Sequence, residues 1–299
     1  MPNHLMSKIH FSGDQSRIDE LLESIKGDET LFDFNRVIPM PESLNIEASS
    51  RTDSGLRAYR DFITMYTMDG TIEKDLLNIP KEKEGIFLKT RPDIKLDEWN
   101  LGRTAFQNEQ KYGSKSWFEF HIQQWGSKWN SYNSEMAEDN TIEFCTAWTN
   151  VKPVVIALSQ KFPDIEMKYQ WADEDIGLNM GDVTFKGGEC IDEISFENDS
   201  KEAFEFAADM WGLDLEEEGL IFNEKSGTYE RQDIRNSWVL YAEYANLGYT
   251  QSKTYKYAEN KAAMHTCWTM KGRLFLYDFL RERGVFPMCE KECCNEAFV

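Results

Sequence analysis

Asp173 and Asp175, two residues apart in the stretch WADEDIG, are the carboxylates best spaced for chemistry in this chain of 299 residues. In an extended strand both project from one face while Glu174 projects from the other, which is how two acids can be brought to one Mg²⁺. A metal-dependent nuclease, the third function considered, needs more acids or a histidine converging on the ion and a base to orient water. The chain has four histidines, His4, His10, His121 and His265, and none stands in a His-Glu-x-x-His spacing. A Gly-x-Ser-x-Gly elbow, a phosphate-binding loop and the dinucleotide fingerprint are also absent. The expectation is therefore a turn in which the two aspartates accept backbone N–H groups. No catalytic residue, metal or cofactor is expected.

Two other groups of residues invite chemistry. QWGSKWNSYN, from Gln124 to Asn133, sets Trp125 and Trp129 around Gly126 and Lys128, with Tyr132 beyond. Rings like these on a sheet stack single-stranded bases when a basic groove surrounds them. Here Lys115 and Lys128 are outnumbered by Glu119, Glu135, Glu138 and Asp139. Packing is the expected role, with the tryptophans burying large areas and Gly126 allowing a tight turn; a single-stranded nucleic-acid module is the alternative function. In the tail, Cys289, Cys293 and Cys294, with His265 and Cys267, offer a zinc site, a disulfide, or free thiols. The two-residue gap usual between zinc cysteines is missing, and a reducing cytoplasm opposes the disulfide, so free buried thiols are expected.

Charge narrows the class of partner. The formal net charge is −20, and between Glu189 and Glu230 fourteen carboxylates face only Lys201 and Lys225, a local charge of −12. Such a surface repels phosphate and attracts basic protein, so direct nucleic-acid binding is not expected. Within it, aromatic and aliphatic residues interleave with acids, as at an interface whose apolar anchors hold while charge selects a basic partner. The candidate contacts are Phe204, Trp211, Asp214, Glu216, Glu217 and Glu218. The plainer reading of KEAFEFAADMW is an amphipathic helix with its apolar side buried in its own domain, and that of the charge run is a solvated face. With 41% hydrophobic residues, no run of eighteen apolar residues and a start lacking a secretory signal, the chain is expected to be soluble and to act in the cytoplasm, without a membrane.

The elements that would position these residues follow from periodicity. A strand is expected over Leu5 to Ser12, then an amphipathic helix with Ile18, Leu21, Leu22 and Ile25 on one side. LFDFNRVIPMPESL reads as a short strand entering a Pro-x-Pro turn, and residues 50–115 as an insertion with one helix near Gly55 to Tyr66. KSWFEFHIQQW alternates like a strand, TIEFCTAW is a second clear strand, and VKPVVIALSQKFP is a helix with Pro153 near its start. DIEMKYQWADED and GDVTFKGGE complete the set as two more strands. Beyond Ser200 the period turns helical. The fold class is thus α+β: a ferredoxin-like split β-α-β sandwich over 1–188, with an insertion at about 50–115, followed by an acidic segment and a mainly helical C-terminal region over 189–299.

Five stretches in order, MPNH, FDFNRVIPMPESL, WGSKWN, FCTAW and ADEDIG, resemble the phage and plasmid family built on a YubB-type ferredoxin-like domain. The resemblance covers most of residues 1–45 and 120–188. It implies the fold, and structural roles for His4, Trp125, Gly126, Lys128, Trp129, Asp173 and Asp175, with His4 bonded at the sheet edge. In length, acidity, insertion, following helices and cysteine-bearing tail, the chain is also similar to phage anti-defence proteins that assemble around a host Gabija complex and block its nuclease. That likeness implies a non-enzymatic anti-defence protein, working as a homo-oligomer, whose partner is a host defence nuclease complex.

Overall fold

Leu5, Ser7, Ile9 and Phe11 are buried on one side of the first strand, β1 (His4–Ser12), while His4, Met6, Lys8 and His10 lie half-buried on the other. This two-residue alternation is what a strand inside a one-sided sheet requires. The computed structural model describes residues 3–67, 81–137 and 139–231, which fall into two units, Met1–Phe196 and Glu197–Val299. In the first unit β1 lies inside a six-stranded antiparallel sheet with β2 (Tyr132–Met136), β3 (Thr141–Ala147), β4 (Glu166–Asp173), β5 (Gly181–Lys186) and β6 (Glu189–Ile194), ordered β2-β3-β1-β4-β5-β6. Ile9 pairs with Ile142 on one side and Tyr169 on the other.

The first four strands with α1 (Gln15–Ile25) and α7 (Lys152–Lys161) make the ferredoxin-like arrangement, and β5 and β6 extend it. Asp14 caps α1 by accepting the N–H groups of Ser16 and Arg17, and Ile18, Leu21 and Ile25 form its buried stripe. Val154, Val155 and Leu158 do the same for α7, and both stripes join Phe34, Phe144, Met167 and Tyr169 in one core. The opposite sheet face is polar and pairs its own charges: Lys8 with Glu143 at 2.9 Å and Lys168 with Asp182 at 3.2 Å.

Two segments expected as strands are helical. LFDFNRVIPMPESL forms α2 (Phe34–Val37) and a 3₁₀ turn at Glu42–Leu44. Its backbone donors bond to side chains instead of to a ladder: Leu31 N–H to Ser134 Oγ at 2.8 Å and Phe34 N–H to Asn130 Oδ1 at 2.9 Å. The second ferredoxin-like strand is instead β2, about a hundred residues later. KSWFEFHIQQW is α6 (Trp117–Phe120) running into a π turn over His121–Trp125. Ser116 and Glu119 start it as a capping box, a spacing that outweighs the alternation.

The insertion holds three described helices rather than one: α3 (Ser50–Thr67), α4 (Lys81–Thr90) and α5 (Leu96–Tyr112). They carry their own core of Leu56, Tyr59, Phe62, Phe87, Trp99 and Phe106. Helices α3 and α5 cross backbone to backbone at Gly55 and Gly102; a Cβ on Gly102 would stand 2.0 Å from the carbonyl carbon of Gly55. Buried Asn108 ties α5 to the turn after α2, accepting from Ser43 Oγ and donating to the Ser43 carbonyl, both at 2.7 Å.

The first unit runs to Phe196, past the boundary expected at residue 188, because Glu189–Ile194 pairs with β5. In the second unit the described residues form α8 (Lys201–Trp211) and a hairpin of β7 (Leu220–Asn223) and β8 (Thr228–Arg231). Most of the expected C-terminal helices, and Cys267, Cys289, Cys293, Cys294 and His265, lie outside the described residues. No helix among the described residues is long and apolar enough to cross a membrane.

Candidate functional site

The motif residues meet at the end of the sheet where β1 begins. The Asn3 amide donates to Asp173 Oδ1 and to Asp175 Oδ2, both at 3.2 Å. Asp173, 5% exposed, also accepts the Asp175 N–H at 3.0 Å and the Asn179 amide at 3.1 Å. The Asp173–Asp175 pair is therefore an aspartate turn in which Asp173 accepts one backbone N–H, that of Asp175, while the other donors are the side-chain amides of Asn3 and Asn179, where the sequence predicts backbone N–H groups.

The aspartate turn reaches an exposed ring. The Trp148 N–H donates to the Asn3 carbonyl at 3.0 Å, and the Asn179 amide donates to the Trp148 carbonyl at 3.1 Å. Between these two clamps Trp148 holds φ +64°, a left-handed backbone that costs a bulky residue about 1–3 kcal/mol and is kept only where neighbours impose it. Its indole, 43% exposed, lies 5.6 Å from that of Trp129, 40% exposed, and the Lys128 ammonium sits 5.0 Å from the Trp129 ring and 5.8 Å from the Trp148 ring. The sequence reading did not single out Trp148; an aromatic ending a strand in the stretch FCTAW was the available signal.

The two tryptophans of QWGSKWNSYN are thereby separated. Trp125 is core: its indole N–H donates to the Ile38 carbonyl at 3.0 Å and its ring meets Phe34 edge-on. Trp129 does not pack inside, contrary to the expectation for it, because Gly126 at φ +81° turns the chain outward between them. A Cβ on Gly126 would stand 2.9 Å from the Asn150 carbonyl. His4 holds the sheet edge as expected, through Tyr132. The Tyr132 hydroxyl donates to the Thr146 carbonyl at 3.0 Å, so His4 Nδ1–H must be the donor in their 2.7 Å contact. Burial raises the Tyr132 phenol to about 12, which keeps that proton in place.

His121 lies under the same loop, stacked on Trp125 at 3.7 Å. Its Nδ1–H donates to the Lys128 carbonyl at 2.9 Å, and its buried Nε2 has no partner among the described residues. Burial lowers this imidazole below the ordinary value of 6.5, the Lys128 carbonyl opposing the shift only in part. The folded state then binds fewer protons than the unfolded state below that value. Stability from this group is complete above pH 6.5 and is lost as pH falls through the folded pKa. The melting temperature is expected to drop between pH 6.5 and 5, with a shallower drop in His121→Phe. Equal slopes for the two proteins would exclude His121 as the cause.

In the acidic segment the structure divides the candidate interface residues. Phe204 is not an outward anchor: it is buried in its own unit with Ala203, Ala207, Ala208 and Met210, its ring 5.5 Å from Tyr229. The amphipathic spacing of α8 explains this, between a Ser200 cap and Gly212 at φ +64°. Trp211 is half-buried. Asp214, Glu216, Glu217 and Glu218 are exposed, and Asp214 Oδ1 accepts the N–H groups of Glu216 at 2.8 Å and Glu217 at 3.2 Å, fixing a turn that points carboxylates outward. These two places, the clamped tryptophan pair and the acidic turn, belong to different units.

Residues 124–214 match the family model described as the ferredoxin-like domain in Api92-like protein, a stretch from the end of the π turn to the start of the acidic turn. Residues 191–283 match the phage antirepressor protein KilAC domain. No curated protein matches. Among solved structures, the crystal structure of protein api92 from Yersinia pseudotuberculosis is similar at 12% identity and a TM-score of 0.35, over 66% of this chain and 99% of that one. The chain is thus similar, in two segments that overlap at residues 191–214, to the ferredoxin-like domain in Api92-like protein and to a phage antirepressor domain.

Proposed function

We propose that this chain is a non-enzymatic phage or mobile-element protein that acts in the host cytoplasm by binding a DNA-acting protein and keeping it from DNA. The observation that carries this reading is the acidic segment, whose turn at Asp214–Glu218 holds its carboxylates in solvent while the apolar side of α8 is buried. A basic DNA path is the complementary surface. The partner in the first reading is a host defence nuclease complex of the Gabija type, blocked by acidic side chains in the DNA path or by a homo-oligomer of this chain around it. The antirepressor match over residues 191–283 favours a second reading, in which the partner is a DNA-binding repressor.

Co-expression with each kind of partner, followed by size-exclusion chromatography at low and moderate salt, tests both. Co-elution with one partner is expected. The combined variant Asp214→Lys, Glu216→Lys, Glu217→Lys and Glu218→Lys should elute separately from it. Independent elution of the parent chain from both partners, at both salt levels, removes the proposal. Binding of single-stranded oligonucleotides that disappears on Trp129→Ala would instead support a nucleic-acid module on the exposed rings.

A further inference from the structure

The end strand β6 has the sequence ECIDEI, and all six residues are exposed, Ile191 at 53% and Ile194 at 47%. It pairs with β5 on one side, and among the described residues no strand lies beyond it. An end strand keeps alternate N–H and C=O groups facing outward, where an added strand can take them. Register assigns the side chains to two faces. Asp192 and Ile194 stand opposite Thr184 and Asp182, on the polar face of the sheet. Glu193 stands opposite buried Val183 on the helix side, where Lys152 Nζ reaches it at 2.8 Å; Ile191, two residues before it, is the extra residue at a register shift, where the pairing passes from Phe185–Cys190 to Thr184–Asp192, and by alternation from Glu193 it lies toward that side. Each face therefore offers one isoleucine and one carboxylate to a strand laid alongside.

Charge decides which strand fits. A second copy of β6 would bring Glu189, Asp192 and Glu193 against the same carboxylates, and like charges directly across a pair are destabilising. A segment with the order apolar, basic, basic, apolar meets Ile191, Asp192, Glu193 and Ile194 with matching groups in either strand direction. We propose that the outer edge of β6 is a strand-addition site for an extended, basic segment of that pattern in a partner protein. The proposal rests on the protein-binding reading above and adds how the contact is made: main-chain hydrogen bonds supply affinity, and the two central carboxylates select the partner.

The probe is a fluorescein-labelled octapeptide centred on Val-Lys-Arg-Val, titrated into the full chain beside the same peptide with its backbone amides N-methylated. Loss of two or three main-chain bonds predicts that the methylated peptide binds weaker by about fivefold or more. The double variant Asp192→Lys and Glu193→Lys, with its fold checked by circular dichroism, should lose the parent peptide by a similar factor. Equal binding of both peptides, or no binding of either up to millimolar concentration, overturns the proposal. If the double variant still co-elutes with a partner while the acidic-turn variant does not, the protein-binding reading survives and the β6 edge is excluded as its contact.

Discussion

Asp173→Ala is expected to lower the unfolding free energy of the first unit by about 3 kcal/mol. Asp173 is a buried carboxylate that accepts from Asn3, Asp175 and Asn179, and hydrogen bonds to charged groups contribute about 1.5–3 kcal/mol each in a network that is not additive. The partial exposure of the amide donors keeps the sum below three full bonds. For a body of this size the melting temperature should fall by roughly 6–12 °C. The loss has a specific location. With Asn3 and Asn179 released, the left-handed backbone of Trp148 relaxes, and the N–H groups of Trp148 and Glu174, bonded to Asn3 and His4, should exchange hydrogen faster than those in β5. A change below 1 kcal/mol, or uniform exchange, would show that the turn does not hold the exposed ring.

The second large effect is expected in the insertion. In Gly102→Ala the new methyl meets the backbone of Gly55 and Leu56, and no side chain can move aside to admit it. The intrinsic helix gain of Ala over Gly, about 1 kcal/mol, favours the variant. Forced separation of α3 and α5 opposes it and spreads into the Tyr59, Phe62 and Trp99 cluster, so the overpacking cost prevails. A net loss of about 3 kcal/mol is expected, confined to the insertion, with early proteolysis between residues 50 and 115. Gly85→Ala is the control: nothing lies within 4 Å of its new Cβ in α4, so it should stabilise by about 0.5–1 kcal/mol. The same sign for both variants would contradict the crossing.

The sequence made some of this legible and hid the rest for physical reasons. β1, β3, β4, α1 and α7 were readable because each carries a run buried at period two or near four, and β5 because its continuous buried run, Gly181–Phe185, is short and lies between turn residues. LFDFN looked like a strand because Phe32 and Phe34 are both buried, yet Asp33 caps α2 and side chains from Asn130 and Ser134 take the backbone donors. Those partners lie about a hundred residues away in the chain, beyond any local pattern. The same distance hid the strand that replaces it, β2, which has one short alternating run and a register shift against β3. At the site, the aspartate turn was visible from Asp173 and Asp175 alone. Its link to Trp148 was not, since it passes through Asn3 and Asn179 in two other segments. The outward carboxylates of the acidic turn were apparent from composition, whereas the inward course of Phe204 needed the helix to be placed.

The position of β1 inside the sheet has a consequence for synthesis. Emerging from the ribosome ahead of its partners, this strand has no neighbour until β3 follows, some 130 residues later, and no second neighbour until β4. At about 5–20 residues per second the wait is on the order of ten seconds. The insertion helices, whose apolar core is their own, can condense during that interval, leaving the buried face of β1 for a chaperone to shield until translation delivers its partners.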